Sequence, residues 1–110
     1  MHLPEMVDMP AKGNKVIAEL SITPIGEGTS VSRYVKIALD ELRKNKKLRI
    51  EVNPMGTVIE ADTLREILDA VMTAHESLFN SGLKRVDFIL KVDDRRDKPR
   101  SMDDKVKAVL

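Results

Sequence analysis

The sequence contains no cysteine and no tryptophan, and its few other aromatic rings include Tyr34, Phe79 and Phe88. Without cysteine there can be no disulfide, no thiolate metal site and no cysteine nucleophile. No apolar run approaches the roughly 20 residues that a membrane-spanning helix needs. Residues 1–14 also lack the apolar stretch of a signal peptide. These absences favour a cytoplasmic protein without a membrane partner, and they leave few aromatic walls for a pocket within one subunit.

The charge of the chain is nearly balanced, with 19 basic and 18 acidic residues and a formal net charge of +1. Such a balance offers no broad attraction to nucleic acid or anionic lipid, so no nucleic-acid partner is expected. The length of 110 residues suits one domain with a modest core. We expect this domain at residues 15–110, after a flexible arm at residues 1–14 in which proline and glycine interrupt any period.

Apolar periodicity divides the chain after this arm into strands and helices. Alternation predicts strands at residues 15–23, 48–53, 57–60 and 84–92. Helical spacing predicts two long helices that begin near the possible caps Ser30 and Asp62, and a short helix at residues 101–110. The order strand, helix, strand, strand, helix, strand is that of an α+β ferredoxin-like βαββαβ sandwich, with two helices on one face of an antiparallel sheet.

This topology predicts that one face of the sheet has no helix over it. Ile17, Glu19 and Ser21 of the first strand would lie on that face, together with Ile89 of the last strand. Isolated apolar residues among polar ones suit a wet subunit interface or a ligand platform. The edges of a small open sheet also need protection. We therefore expect self-association through a sheet face or edge.

Five segments follow one another in a fixed order: residues 16–26 (VIAELSITPIG), 32–35 (SRYV), 54–60 (PMGTVIE), 74–76 (AHE) and 93–98 (DDRRDK). In this combination the chain resembles the YkoF-like family of small thiamine-binding proteins, over roughly residues 15–110. The resemblance implies a ferredoxin-like fold, assembly as a dimer of dimers and, in some members, binding of thiamine or its hydroxymethylpyrimidine moiety without known catalysis. The arm at residues 1–14 departs from the family pattern.

Glu19 and Ser21 are the first candidate ligand-binding residues. Thiamine is a permanent cation that bears an aminopyrimidine, so its pocket should offer a carboxylate and short hydroxyl or backbone groups. Glu19 meets this requirement in the middle of a strand, next to Ser21. The alternative is that Glu19 only pairs with Arg49 or Lys91 across the sheet.

Met55, Gly56 and Thr57 are the second group of candidate ligand-binding residues. They follow Pro54 in a tight bend that places a backbone without a side chain beside a thioether and a hydroxyl. A ligand can approach the backbone closely at such a bend. The alternative is a hairpin that needs Gly56 for its geometry alone.

The charged run at residues 93–98 directly follows an apolar strand. Arginine forms planar, bidentate pairs with carboxylates, which suits contacts that fix the register of subunits. We therefore expect Asp94, Arg95, Arg96 and Asp97 at an oligomer interface. The alternatives are a lattice of local ion pairs on an exposed turn, or an anion site for a phosphorylated thiamine or pyrimidine at Arg95 and Arg96.

His75 is the only histidine after the arm, and its place on an apolar helical stripe predicts a largely buried, structural residue. With no second core histidine and no cysteine, no metal site is expected. We also expect no catalytic residue and no cofactor. The predicted function is non-catalytic binding of a thiamine-related ligand at a subunit boundary of a homotetramer. The alternatives are a protein-interaction module without a ligand, and an enzyme acting on a pyrimidine or thiazole with Glu19 and His75 as acid and base.

Overall fold

The computed structural model describes residues 14–110, which form one antiparallel sheet with helices packed on it. The strands are β1 (Val16–Pro24), β2 (Arg49–Asn53), β3 (Gly56–Ala61) and β4 (Val86–Asp94), and the helices are α1 (Ser32–Arg43), α2 (Leu64–Asn80) and α3 (Met102–Lys107). The ferredoxin-like prediction is confirmed. Of the arm predicted at residues 1–14, all but the buried Asn14 lies outside the described residues.

The sheet has the strand order β2-β3-β1-β4, so β1 and β3 are its central strands. Leu20 of β1 lies opposite Thr57 of β3 and Leu90 of β4, while Glu19 lies opposite Val58 and Lys91. Because side chains alternate along a strand, these two rows point to opposite faces. The row of Leu20 faces α1 and α2, as predicted.

The core lies between the sheet and these two helices. Its largest fully buried side chains are Leu42, Ile59, Ile67, Leu78 and Val16. Burying a side chain of this size contributes about 1.5–3 kcal/mol relative to leaving it in water. None of the helices in residues 14–110 has the length and apolar character of a membrane span.

Both predicted helix caps are wrong. Helix α1 begins at Ser32, and Val31 occupies the N-cap position without a side-chain hydrogen bond. Ser30 is therefore not the cap. Thr63 caps α2 instead of Asp62, because its hydroxyl accepts a hydrogen bond of 3.2 Å from the backbone N–H of Glu66. Asp62 pairs with Lys15. Threonine is nearly as good a cap as aspartate, so sequence alone could not distinguish the two adjacent residues.

The expectation that one sheet face has no helix over it is wrong for one end of that face. Helix α3 lies across this end, where the carboxylate of Glu60 accepts a hydrogen bond from the backbone N–H of Met102. The guanidinium of Arg49 donates two hydrogen bonds, of 2.7 and 3.0 Å, to the carboxylate of Asp103. The rest of the face, which includes Glu19, stays uncovered, and we call this part the open face.

Helix α3 is held mainly by its first turn. Ser101 starts it with a capping box, in which its hydroxyl accepts from the backbone N–H of Asp104 and the Asp104 carboxylate accepts from the backbone N–H of Ser101. Helical spacing places Met102, Val106 and Val109 on one side of this segment. Only Met102 is buried, whereas Val106 and Val109 are exposed. The docking of this short helix therefore rests on polar contacts around one buried methionine.

Candidate functional site

A notch opens in the sheet where β1 continues beyond the start of β3. The pairing of these strands stops at Leu20 and Thr57, while β1 stays paired with β4 as far as Pro24. Among the described residues, no strand pairs with residues 21–24 on the β3 side. A free strand edge presents backbone N–H and C=O groups that are not used by a neighbouring strand. The notch therefore offers both donors and acceptors.

The notch leads into a groove of about 290 Å³ between α1 and the β2–β3 turn. This volume is at the lower end of the range for small-molecule pockets and suits a single ring. The helix side of the groove is wholly apolar and the sheet side is mixed; the lining residues are Val31, Val35, Ala38, Leu39, Leu42, Leu20, Ser21, Ile22, Val52, Asn53, Pro54, Met55, Gly56 and Thr57. None of these residues is charged, so the groove suits an uncharged ligand group.

Four of the five predicted ligand-binding residues line this groove, namely Ser21, Met55, Gly56 and Thr57. Thr57 is 8% exposed and lies on the helix-covered face, because it pairs with Leu20. Met55 is 83% exposed at the tip of the β2–β3 turn. One groove thus contains a buried hydroxyl, that of Thr57, and an exposed, flexible apolar side chain, that of Met55.

Glu19 does not line the groove itself, because its row of β1 points to the open face. Ser21 belongs to the same row and borders the groove at the notch. A Cβ added at Gly56 would lie 3.1 Å from Cγ of Glu19 and 3.2 Å from the carbonyl oxygen of Leu20. Gly56 is therefore required by the close approach of β1 and of the Glu19 side chain. Within residues 14–110, Glu19 forms no ion pair, either with Lys91 opposite it or with Arg49, which pairs with Asp103.

The wall of the groove formed by the start of α1 is fixed by Tyr34. Its hydroxyl donates a hydrogen bond to Glu27 in the loop before the helix, and this bond raises the pKa of Tyr34. The guanidinium of Arg33 lies 5.1 Å from the centre of the Tyr34 ring, within range of a cation–π contact. These contacts connect the loop to the helix and so position Val31 and Val35 in the groove.

The sequence did not indicate that residues of α1 line the groove. Val35 and Leu39 follow the spacing of any apolar helix face, which predicts the helix but does not distinguish core packing from a groove. The available signal was the difference in strand length, since β1 has nine residues and β3 has six. This difference in length produces the notch. The notch can be inferred, however, only when the register of the two strands is known.

The charged run at residues 93–98, which begins within the end of β4, forms ion pairs within the chain. The guanidinium of Arg95 donates to Asp97 at 2.6 and 3.0 Å, and that of Arg96 donates to Asp94 at 2.8 Å. The first contact lowers the pKa of Asp97. The local lattice that was considered as an alternative is therefore present in the single chain, and the role of these four residues at an oligomer interface stays a prediction.

His75 is half-buried, with 35% of its side chain exposed, rather than largely buried. Its ring packs edge-on against Phe79 and Phe88, with centroid distances of 5.0 and 5.6 Å. Phe88 lies opposite Ile22, in the row that faces the helices. Because Glu19 is on the other side of the sheet, it does not form an acid–base pair with His75. Within residues 14–110, no three acidic or histidine side chains are grouped to hold a metal ion.

The model of a protein family described as thiamine-binding protein matches residues 18–110. A UPF0045 protein from Methanocaldococcus jannaschii is 48% identical over 95 residues, which are 86% of this chain and 92% of that protein. A crystal structure of a hypothetical protein from the same organism has a TM-score of 0.80 and 47% sequence identity, and the match covers 87% of this chain and 96% of the other.

A further crystal structure, from Thermotoga maritima, is of a protein assigned provisionally to thiamine biosynthesis or salvage. It has a TM-score of 0.73 at 22% identity, over 87% of this chain and 99% of the other, so the likeness shows the fold alone. The family model and the relative from Methanocaldococcus jannaschii together confirm the resemblance in the sequence, and they show that this chain belongs to the thiamine-binding protein family.

Proposed function

We propose that this protein binds thiamine, without catalysis, by holding its pyrimidine half in the groove between α1 and the β2–β3 turn. Membership of the thiamine-binding family supports a small-molecule-binding role. The observation that carries the proposal is the meeting of an uncharged groove with the free edge of β1, at the place where Ser21, Gly56 and Thr57 converge.

The groove matches the chemistry of an aminopyrimidine. Such a ring is flat, and its edge combines an amine donor with ring-nitrogen acceptors. A free strand edge offers complementary N–H and C=O groups in one plane, as in other cases where a ligand adds to a sheet edge. The hydroxyl of Thr57 can donate or accept. Aliphatic side chains of α1, such as Val35 and Leu39, would cover the ring faces in place of aromatic residues.

The positive thiazolium of thiamine has no counter-charge in the groove lining. We therefore place it at the solvent-exposed mouth, beside Met55. Glu19 is on the open face beside Gly56, and in this proposal it contacts the ligand at a boundary where another subunit packs on that face. We retain Glu19 as a ligand-binding residue on this condition alone.

We also propose that the protein forms a homotetramer, as a dimer of dimers. The outer edge of β4 has no strand paired with it among the described residues, and this strand is nine residues long. Phe88, Ile89 and Val92 beside this edge are exposed apolar residues. Pairing of two β4 edges about a two-fold axis would cover them. The open face, with Ile89 71% exposed, would then serve as the second contact.

Two further points belong to the same proposal. In this proposal the protein has no catalytic role, because Glu19 and His75 lie on opposite sides of the sheet and cannot share a substrate. We place the protein in the cytoplasm, because a chain without cysteine has no need of an oxidising compartment.

The proposal is tested by thermal unfolding of ligand-free protein with hydroxymethylpyrimidine, thiamine and its phosphates, and with nucleosides as controls. A ligand at 100 times its dissociation constant adds about 2.7 kcal/mol, which raises the melting temperature of a domain of this size by several degrees. We expect hydroxymethylpyrimidine alone to be sufficient. No shift with any of the thiamine compounds would favour a protein-interaction module instead.

The position of the ligand is tested by Thr57→Val, which removes the hydroxyl and keeps the shape of the side chain. We expect about threefold to tenfold weaker binding, the usual effect of losing one neutral hydrogen bond. Thr73→Val is the matched control, because the hydroxyl of Thr73 only contacts the Asp69 carbonyl on the exposed side of α2. Equal affinities of the two variants would exclude Thr57 from the site.

A further inference from the structure

A second cavity, of about 240 Å³, lies between the start of β1, the end of β4 and the segment that contains α3. Ile17 and Ala108 form its apolar part. The other lining residues are four cations, Lys15, Arg95, Arg100 and Lys105, and one acid, Asp93. In a chain with a net charge of only +1, this is a marked local concentration of positive charge.

Three of these cations have acidic partners within the chain. Lys15 pairs with Asp62, Lys105 pairs with Asp93, and Arg95 pairs with Asp97. All three pairs are well exposed, with between 38% and 70% of each side chain accessible. Exposed pairs of this kind contribute only about 0–1 kcal/mol each. They can therefore give way to an anion that offers more charge and more acceptor oxygens.

Arg100 differs from the other three cations. It forms no hydrogen bond or ion pair with any residue of the described part of the chain, although it lines the cavity. Its guanidinium provides a fork of donors that matches the oxygens of a phosphoryl group in a bidentate manner. Arg95 presents a second guanidinium in the same cavity. The two arginines and two lysines together can supply more donors than a singly charged carboxylate can accept.

We propose that this cavity is a binding site for a phosphoryl dianion, either free phosphate or diphosphate or the phosphate of an ester. Along β1 it lies at the opposite end from the thiamine groove, because Ile17 and Ser21 are four residues, or about 13 Å, apart. The proposal therefore does not depend on thiamine binding. Since β1 and β4 supply one side of the cavity and the α3 segment the other, a bound anion would also hold α3 on the sheet.

The test is a titration of the full chain with inorganic phosphate and diphosphate, followed through backbone amide shifts in NMR. We expect saturable shifts confined to residues 15–17, 93–95 and 100–108, and an affinity that falls as salt screens the charges. Arg100→Gln should weaken binding about tenfold, the usual effect of losing a charged hydrogen bond. Arg95→Gln should act in the same direction.

Arg43→Gln is the matched control, because it removes the same charge from the exposed end of α1, outside the cavity. Its affinity for phosphate should equal that of the unaltered chain. Shifts that never saturate, or an equal loss in Arg43→Gln and Arg100→Gln, would overturn the proposal. Absence of shifts with all phosphates, inorganic or esterified, would do the same.

The two sources of the phosphoryl group are distinguished by comparing thiamine with thiamine diphosphate. If the site accepts any phosphoryl group, inorganic diphosphate and thiamine diphosphate shift the same resonances. If it needs the ester, only thiamine diphosphate shifts them. Unphosphorylated thiamine should leave this cavity unchanged in either case. Failure here would leave the stabilisation by hydroxymethylpyrimidine untouched, so the two proposals can fail separately.

Discussion

The carboxylate of Glu60 accepts a hydrogen bond of 2.6 Å from the backbone N–H of Met102, 42 positions away in the sequence. Glu60 is 7% exposed and Met102 is 6% exposed. Met102 is the first residue of α3, where backbone N–H groups have no partner within the helix. A nearly buried acceptor on the sheet thus satisfies a donor of the helix, and the contact fixes α3 across one end of the sheet.

We expect Glu60→Ala to release α3, because it leaves this N–H without a partner in a buried position. The free energy of unfolding should fall by about 1–3 kcal/mol, as measured by urea denaturation. Hydrogen exchange of residues 102–107 should become faster than that of α2. Glu60→Gln, which keeps an acceptor oxygen, should restore part of the loss. Glu51→Ala on the exposed side of β2 is the control, and the prediction fails if it costs as much as Glu60→Ala.

The docking of α3 should also weaken in acid. The hydrogen bond from Arg49 lowers the pKa of Asp103, and the bond from the backbone N–H of Ser101 lowers that of Asp104. Because these pKa values are lower in the folded state, the unfolded chain takes up protons first as the pH falls. The contribution to stability is therefore complete above the ordinary value of about 3.9 and is lost below it.

We expect the NMR amide resonances of α3 to move towards unfolded positions below about pH 4, before those of α2. Asp103→Asn should show weakened docking already at neutral pH and a smaller change in acid. Asp87→Asn, an exposed position on β4, should behave like the unaltered chain. A simultaneous loss of α2 and α3 in all three proteins would argue against separate docking.

Gly56→Ala should strain the contact between β1 and β3. Its new methyl group would meet Cγ of Glu19 at 3.1 Å and the carbonyl oxygen of Leu20 at 3.2 Å. Overpacking of this kind costs about 1–3 kcal/mol. In a Glu19→Ala background the cost should fall, because only the contact with the backbone remains. A double-mutant cycle from urea denaturation measures the difference, and an equal cost in both backgrounds would show that the two side chains are independent.

The order of the strands and long helices along the chain could be predicted because each element has its own apolar period. Leu20 and Glu19 point to opposite faces for that reason alone. The docking of α3 could not be predicted in this way. A helix of six residues with one buried side chain has no distinct apolar face, and its position depends on a contact between Glu60 and Met102, which are distant in sequence.

The candidate site was predictable only in part. The bend at Gly56 was visible in the sequence, and Ser21, Met55 and Thr57 do meet at one groove. The register then separated Glu19 from Thr57, because β1 residues 19 and 20 face opposite sides and Thr57 pairs with Leu20. The alternation of side chains was available beforehand, but the identity of the paired residues was not. Pairing depends on how the hairpin and β1 align.

Reversal of charge at Arg96 should reduce the size of the assembly. Arg96 pairs with Asp94, the last residue of β4, and so lies at the end of the free strand edge that we propose joins two subunits. Arg96→Glu would add a fourth acid to Asp93, Asp94 and Asp97 at this end, and the group would repel the same group on a symmetry-related chain. We expect a smaller mass in light scattering, and a further decrease for Arg95→Glu combined with Arg96→Glu.

The single variant is the sharper test, because Arg96 does not line the proposed phosphate cavity and Arg95 does. A double reversal of Arg43 and Lys46 to glutamate changes the net charge equally at exposed positions away from β4, so it controls for general repulsion. This control should keep the mass of the unaltered protein. If Arg96→Glu and the Arg95→Glu combination also keep that mass, the charged run is only a local lattice, and register between subunits must be set elsewhere along β4.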